Sequence, residues 1–334
     1  EGQPRLCARG HGAAGTRRRS ALAFVGRVGA KLLLFGEHAV VHGYPAIGTA
    51  IPGEISASWS PGSPPLHIEA PATYVDAVRL AFRRAAITMG IDPEELGGSL
   101  VIEGAIPPES GFGSSGALCA ALARSLAARQ EELGHPVHED IVWTAANEAE
   151  RLFHGSPSGV DTGVSLKGGL LMVEPGGSFP PAAHSLPRAG VHVVYGSVPR
   201  DSSCAANVAA IGKAMRSGDT RVSGLIGELG AIAARAGKLL AASLSDPAML
   251  GVLASEAMGL LSRLGLSTPA LDALVADGMS AGALGGKLSG GGGGGAFWLA
   301  CPDADTAAAV QESVVSGARR LRLPGDAWVG RIVI

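Results

Sequence analysis

Residues 109–118, "ESGFGSSGAL", place Gly111, Gly113 and Gly116 in the G-x-G-x-x-G spacing of dinucleotide-binding folds. Whether the stretch is that fingerprint decides between hydride and phosphoryl chemistry, and with it the fold. Upstream, "SLVIEGAI" (99–106) reads as a strand that runs into Pro107-Pro108; downstream, Leu118, Leu122 and Leu126 recur every four residues, as on one helix face. The local order is strand, loop, helix. A dinucleotide site needs its first glycine at the end of the strand and an acidic residue closing the next strand about 20 residues on. Here residues 107–110 intervene, and Glu131 and Glu132 fall at the end of a helix. A dinucleotide-dependent oxidoreductase is therefore the weaker reading, and a P-loop would need a G-K-[ST] that is absent. What remains is an anion site: glycines let the backbone approach a ligand, and the amides of 113–117 stand unsatisfied at a helix N-terminus. Phosphate is the natural ligand, with the Ser114 and Ser115 hydroxyls free to cap the helix or reach a metal bound to it. Taken alone, the loop is equally a plain capped helix start.

The rest of the chain narrows the choice. Its 334 residues allow two ordinary domains, and 46% hydrophobic residues with only 4% aromatics make a core of Ala, Val, Leu and Ile. Lys and Arg number 27 against 29 Asp and Glu, a formal charge of −2 that gives no electrostatic case for nucleic acid or an anionic membrane. No apolar run reaches the roughly 18 residues of a membrane helix. Cys7, Cys119, Cys204 and Cys301 stand far apart with no C-x-x-C pair, which fits a reducing compartment; a cytoplasmic protein is expected. Residues 1–22 are Gly- and Arg-rich and are expected to be a disordered tail, although their acid-poor makeup also resembles a targeting peptide.

Strand-like and helix-like segments then mix without strict βαβ alternation, so α+β is the expected class. Residues 27–51 read as two strands around a Gly- and His-bearing turn, 74–89 and about 137–153 as helices, and "HGSPSGVDTG" (154–163) as a loop. A strand "GGLLMVE" leads to a Gly/Pro-rich break at 175–188, where the domain boundary is expected: 23–185 as an N-terminal ATP-binding domain, 186–334 as a C-terminal one. The second half offers a strand at "VHVVYG", helices through roughly 205–280, a strand "GAFWLA" behind six glycines (290–295), and a last strand near "AWVGRIVI".

Charged residues on apolar faces supply the candidate chemistry. Glu148 stands three after Ala145 and four before Leu152, within the apolar stripe of its helix, and a carboxylate there needs a partner: magnesium beside phosphates, or a structural salt bridge. Asp161, shaped by Pro157 and Gly159, is expected to reach a cleft or to be an ordinary turn aspartate. Lys31 shares a strand face with Leu33 and Phe35 and calls for a carboxylate. "GEHAVVH" (36–42) is not H-E-x-x-H, so zinc is not expected, and His38 reads as a substrate donor or as a satisfied core histidine.

Together, "KLLLFGEHAVVHG" (31–43), "PPESGFGSSGAL" (107–118), "NEAERLFHGSPSGVD" (147–161) and "AGALGGKLSGGGGGG" (281–295) resemble the successive motifs of the mevalonate kinases, within the superfamily of galactokinases, homoserine kinases, mevalonate kinases and phosphomevalonate kinases. The resemblance implies a two-domain α+β small-molecule kinase with its active site in the cleft between domains. It implies that ATP phosphates lie on Glu109, Gly111, Gly113, Ser114, Ser115, Gly116 and Ala117, and that Mg2+ is held by Ser115 and Glu148. Asp161 and Lys31 would be catalytic: Asp161 orients the acceptor hydroxyl and takes its proton, while Lys31 keeps Asp161 ionised. Glu37, His38, Thr162, Ser289, Gly290 and Gly291 would meet the substrate, Ser289 and its glycines closing over it from the second domain. The implied reaction is transfer of the γ-phosphoryl of ATP to the C5 hydroxyl of mevalonate, in isoprenoid precursor synthesis; another hydroxy acid or phosphomevalonate is the alternative acceptor. A homodimer is expected from the same resemblance. The chain departs from the pattern at Phe112, Gly116, Ser289 and Gly291, and at Ser255, Ala257 and Met258, which bear on acceptor preference; "VPRDSS" (198–203) is one residue longer than the corresponding turn.

Overall fold

The computed structural model describes residues 23–176, 179–242, 246–323 and 329–334, so the expectation for residues 1–22 lies outside the described residues. The first half is organised around one long strand. Phe24–Phe35 (β1) turns back through the 3-10 turn Ala39–His42 into Ala46–Pro61 (β2), antiparallel to it, with register shifts at Gly29/Ala30 and Leu33/Phe35. Leu66–Glu69 (β3) precedes the helix Val75–Thr88 (α1), and Gly98–Gly104 (β4) leads into the glycine loop and the helix Ser114–Glu132 (α2). Glu139–His154 (α3) and Val160–Lys167 (α4) follow, then Leu170–Glu174 (β5) and Ala182–Leu186 (β6). The sheet runs β3-β4-β2-β5-β6 with β1 on β2; β4 takes the C-terminal half of β2 and β5 its N-terminal end.

The second half contains His192–Val198 (β7), Cys204–Arg216 (α5), Thr220–Ala241 (α6), Pro247–Arg263 (α7), Pro269–Ser280 (α8), Gly285–Leu288 (β8), Gly295–Cys301 (β9), Ala304–Arg320 (α9) and Gly330–Val333 (β10). Its antiparallel sheet has the order β10-β7-β9-β8. Several of these helices start where a side chain meets a free first-turn amide: Ser203 for α5, Asp219 for α6, Asp303 for α9. Asp246-Pro247 and Thr268-Pro269 add a proline at the first helical position of α7 and α8.

The α+β class agrees with the sequence reading, with corrections to individual elements. The 175–188 break contains β6, a polar strand that pairs with β5 and whose exposed, non-alternating side chains carry no strand signal. The segment 160–163, read as loop, is the first turn of α4. The strands β3 and β8, four residues each, and the helix α9 are additions to the sequence reading. The core crosses both halves: Phe35 of β1 stacks edge-on against Trp298 of β9 at 5.5 Å, Phe112 against Tyr195 at 5.6 Å, and a single cluster of buried apolar side chains links the two sheets. No helix among the described residues is long and apolar enough to cross a membrane.

Candidate active site

The glycine loop, β1, the first turn of α4 and the start of α5 surround a cleft of about 1950 Å³ between the two halves. Lys31 comes from the middle of β1, where its amide donates to the Phe112 carbonyl at 3.0 Å and ties the strand to the loop. Its ammonium lies 2.9 Å from Asp161 Oδ1; Lys31 is 4% exposed and Asp161 28%, so the pair is buried on one side and open to the cleft on the other. Asp161 sits in the first turn of α4 behind Gly159, where the helix dipole favours a negative charge.

Two glycines make this approach possible. Gly113 holds φ +74°, and a β-carbon there would fall 2.6 Å from Lys31 Cε. Gly116 has no such torsion, yet its β-carbon would fall 2.9 Å from Asp161 Cβ and 3.2 Å from Glu150 Oε1. The start of α2 thus lies directly on the charged cluster. Its first helical bond is Ala117 N–H to Gly113 C=O at 2.8 Å, so the free amides end at Gly116, and the Ala117 amide is already used. Glu109, Gly111, Gly113, Ser114 and Ser115 line the cleft; Gly116 and Ala117 are buried behind it.

The acidic residue beside this cluster is Glu150, not Glu148. Glu148 faces outward, 31% exposed, and pairs with Arg151 at 2.8 Å and Arg84 at 3.7 Å. The inner face of α3 is instead formed by Val142, Ala145, Ala146, Ala149 and Glu150, while Ile141 and Leu152 are exposed. Glu150 is 2% exposed. Burial first and the charge of Asp161 second push its pKa up to about 8, against the opposing pull of Lys31. Its one ion-pair contact among the described residues is His154 at 4.0 Å, and burial lowers the pKa of that histidine. His154 Nε2 and Ser115 Oγ are hydrogen-bonded at 3.0 Å.

Ser115, Glu150 and Asp161 therefore present a hydroxyl and two carboxylates to the same corner. This donor set fits magnesium, which is held by one or two carboxylates and takes its other ligands from phosphate and water. No cluster of three or more His, Cys, Asp or Glu suited to a metal forms among the described residues, so an all-protein cage is not what is built here.

The opposite wall holds Glu37, His38, Gly290 and Gly291. His38 has φ +58°, meets the Gly291 carbonyl through Nε2 at 3.2 Å, and leaves Nδ1 buried without a protein partner. Burial lowers its pKa to about 4, so it is neutral at physiological pH. Arg200 spans the two glycine runs, donating to Glu109 C=O at 2.9 Å and Gly292 C=O at 3.1 Å. Asn207 on α5 donates to Gly291 C=O at 3.0 Å and exchanges bonds with Ser202.

Two expected substrate contacts lie elsewhere. Thr162 is fully buried, accepting from Trp143 Nε1 at 3.2 Å and donating to Gly159 C=O, because the first turn of α4 directs it away from Asp161 into the core. Ser289 is also fully buried, and its hydroxyl accepts from the Leu33 amide at 3.1 Å across the two halves, at the irregularity in β1. Of the positions tied to acceptor preference, Ser255 is exposed, Ala257 is buried and Met258 Sδ accepts from the Leu288 amide at 3.4 Å; none lines the cleft. Sequence reasoning missed Glu150, His154, Arg200 and Lys287. Glu150 carried a usable signal, since Ala145, Ala146 and Ala149 mark the close-packed face on which it lies.

The descriptions "GHMP kinases N terminal domain" and "GHMP kinases C terminal" match residues 73–169 and 228–318. A mevalonate kinase of Aeropyrum pernix is 31% identical over 288 residues, 79% of this chain and 84% of that protein. One from Pyrococcus horikoshii is 29% identical over 314 residues, 86% and 91% of the two chains. Among solved structures, the L. major mevalonate kinase in complex with R-mevalonate superposes with a TM-score of 0.74 at 25% identity, covering 92% of this chain and 94% of that one. A chain related over most of its length to these enzymes, with their two domains in order, belongs to the GHMP kinase family, among its mevalonate kinases.

Proposed function

We propose that the protein transfers the γ-phosphoryl group of ATP to the C5 hydroxyl of mevalonate. The observation that carries the reading is the Lys31–Asp161 pair, 2.9 Å apart at the mouth of the glycine loop, with Glu150 and Ser115 beside it. The names of the related enzymes support the acceptor.

In this reading the free amides before Ala117 and the Ser114 hydroxyl hold the nucleotide phosphates, and Ser115 with Glu150 holds Mg2+. When bound, the ion neutralises phosphate charge. Asp161 accepts a hydrogen bond from the acceptor hydroxyl and orients its oxygen in line with the γ-phosphorus. As the new O–P bond forms and the bond to the β-phosphate oxygen of the leaving ADP breaks, the hydroxyl proton passes to Asp161. Lys31 faces the charge that develops between attacking oxygen and phosphorus, in a site whose inner side is closed to water. Neutral His38 lines the wall against which the acceptor lies.

We place the division between the halves just beyond the expected 185/186, since β6 runs to Leu186 and the sheet changes between β6 and β7. We also read the enzyme as cytoplasmic, on the free, buried Cys119 and Cys301, and as a homodimer, which sedimentation tests. The function itself is tested by ADP release with magnesium-ATP and mevalonate, phosphomevalonate, galactose, homoserine or no acceptor. Turnover with mevalonate alone is expected; turnover only with another acceptor would overturn the assignment.

A further inference from the structure

Lys287 on β8 is a fully buried lysine, and its partner Glu37, just past the end of β1, is 1% exposed. The ammonium donates to Glu37 Oε1 and, at 2.7 Å, to the Leu288 carbonyl. It also lies 5.8 and 6.0 Å from the ring centroids of Phe35 and Trp298. A buried pair of this kind generally adds little stability over apolar residues of the same volume. Its chemistry therefore calls for another account.

The pair is only half used. Glu37 Oε2 is buried with no protein partner, although Glu37 forms part of the cleft wall next to His38. A carboxylate oxygen can only accept, so the group it awaits is a donor. Lys31 and Asp161 line the same cleft as Glu37. On the proposed function, the reacting hydroxyl goes to Asp161, and the acid group of the substrate is repelled by a second carboxylate. The one donor left on a branched dihydroxy acid is its tertiary hydroxyl.

We propose that Lys287 is a positioning residue that holds Glu37 as an oriented carboxylate, so that Glu37 Oε2 accepts the non-reacting hydroxyl of the acceptor. The inference rests on the proposed substrate and deepens it. Burial works against the charge of Glu37, and Lys287 is the largest influence opposing it. Without Lys287 the carboxyl holds a proton and turns freely about its side-chain torsions, and recognition of the hydroxyl weakens.

The test compares mevalonate with its analogue lacking the tertiary hydroxyl as acceptors for the wild type, Lys287→Met, Lys287→Gln and Glu37→Gln, with thermal midpoints recorded for each. The wild type is expected to prefer mevalonate by about 10- to 100-fold in kcat/KM, the range for a hydrogen bond to a charged group. Glu37→Gln and Lys287→Met are each expected to reduce that preference to a few fold. The change should lie in KM for the acceptor, with KM for ATP unmoved. If Lys287→Met does not fold, Lys287→Gln, whose amide still donates to Glu37 without the charge, is read in its place. Lys287 variants that fold and keep the full preference would overturn the inference, as would a wild type that does not discriminate. A wild type that phosphorylates neither acceptor would overturn the proposed function itself.

Discussion

Glu148 and Glu150 stand two residues apart on α3 and meet opposite environments, so substitution separates them cleanly. Glu150→Gln removes the buried carboxylate facing Asp161 and Ser115 and is expected to lower kcat/KM by on the order of 10². Glu148→Gln disturbs only surface pairs with Arg151 and Arg84, each contributing about 0–1 kcal/mol, and is expected to leave turnover within about twofold. Steady-state kinetics at saturating magnesium decides; loss of activity in the Glu148 variant instead would reverse the assignment. Glu150 also predicts a pH dependence. Its pKa is raised to about 8 in the folded protein from 4.5, so between those values the native state holds a proton that the unfolded chain has released. Its contribution to stability is present below pH 4.5 and is lost as pH rises to about 8. Holding a cation requires the carboxylate, so affinity for magnesium nucleotide should rise by up to about tenfold per pH unit and level off above pH 8. Calorimetry in buffers of different ionisation enthalpy should detect up to one proton released on binding, and none for Glu150→Gln.

At the scale of elements, the glycine loop and α2 act as one device that brings a helix N-terminus onto a lysine. Gly113→Ala adds a β-carbon 2.6 Å from Lys31 Cε in a left-handed conformation, at about 1–2 kcal/mol of backbone strain. We expect at least a tenfold fall in kcat from displacement of Lys31, with a thermal midpoint lowered by only a few degrees. Activity equal to wild type would show that the loop tolerates movement. This device was legible in the sequence: the glycines, the strand before them and the leucine repeat after them each carry a local signal. The rotation of α3 was not. Ala145 and Leu152 suggested a stripe that included Glu148, yet Leu152 is exposed. Alanines 145, 146 and 149 mark the inner face, because α1 and α2 approach α3 closely enough to exclude larger side chains. Apolar periodicity counts large residues, whereas close helix packing selects small ones.

For the whole molecule, one apolar cluster links the two sheets, and polar bonds such as Leu33 N–H to Ser289 Oγ cross between the halves. Unfolding is therefore expected to be a single transition. Trp59 in the first sheet and Trp298 in the second are both buried and can each be made the sole fluorescent reporter of its half. Their denaturation curves should coincide, and Leu122→Ala, deep in the first half, should shift both by the same amount, about 2–5 kcal/mol. Separate midpoints would mean that the halves unfold independently. The residue types and spacings of this chain were enough to determine the α+β class and the strand, glycine loop and helix order around 111–116, because glycine torsions, helix starts and strand alternation are local, and its successive motifs resemble one family; the Lys31–Asp161 pairing followed only from that resemblance. Only the tertiary structure decided that Glu150 rather than Glu148 faces the cleft. It alone placed Thr162 and Ser289 in the core, and brought Lys287 across 250 residues to Glu37. Those outcomes depend on which faces meet when the sheets and helices pack, and pairings so distant in the chain leave no periodicity in it to read.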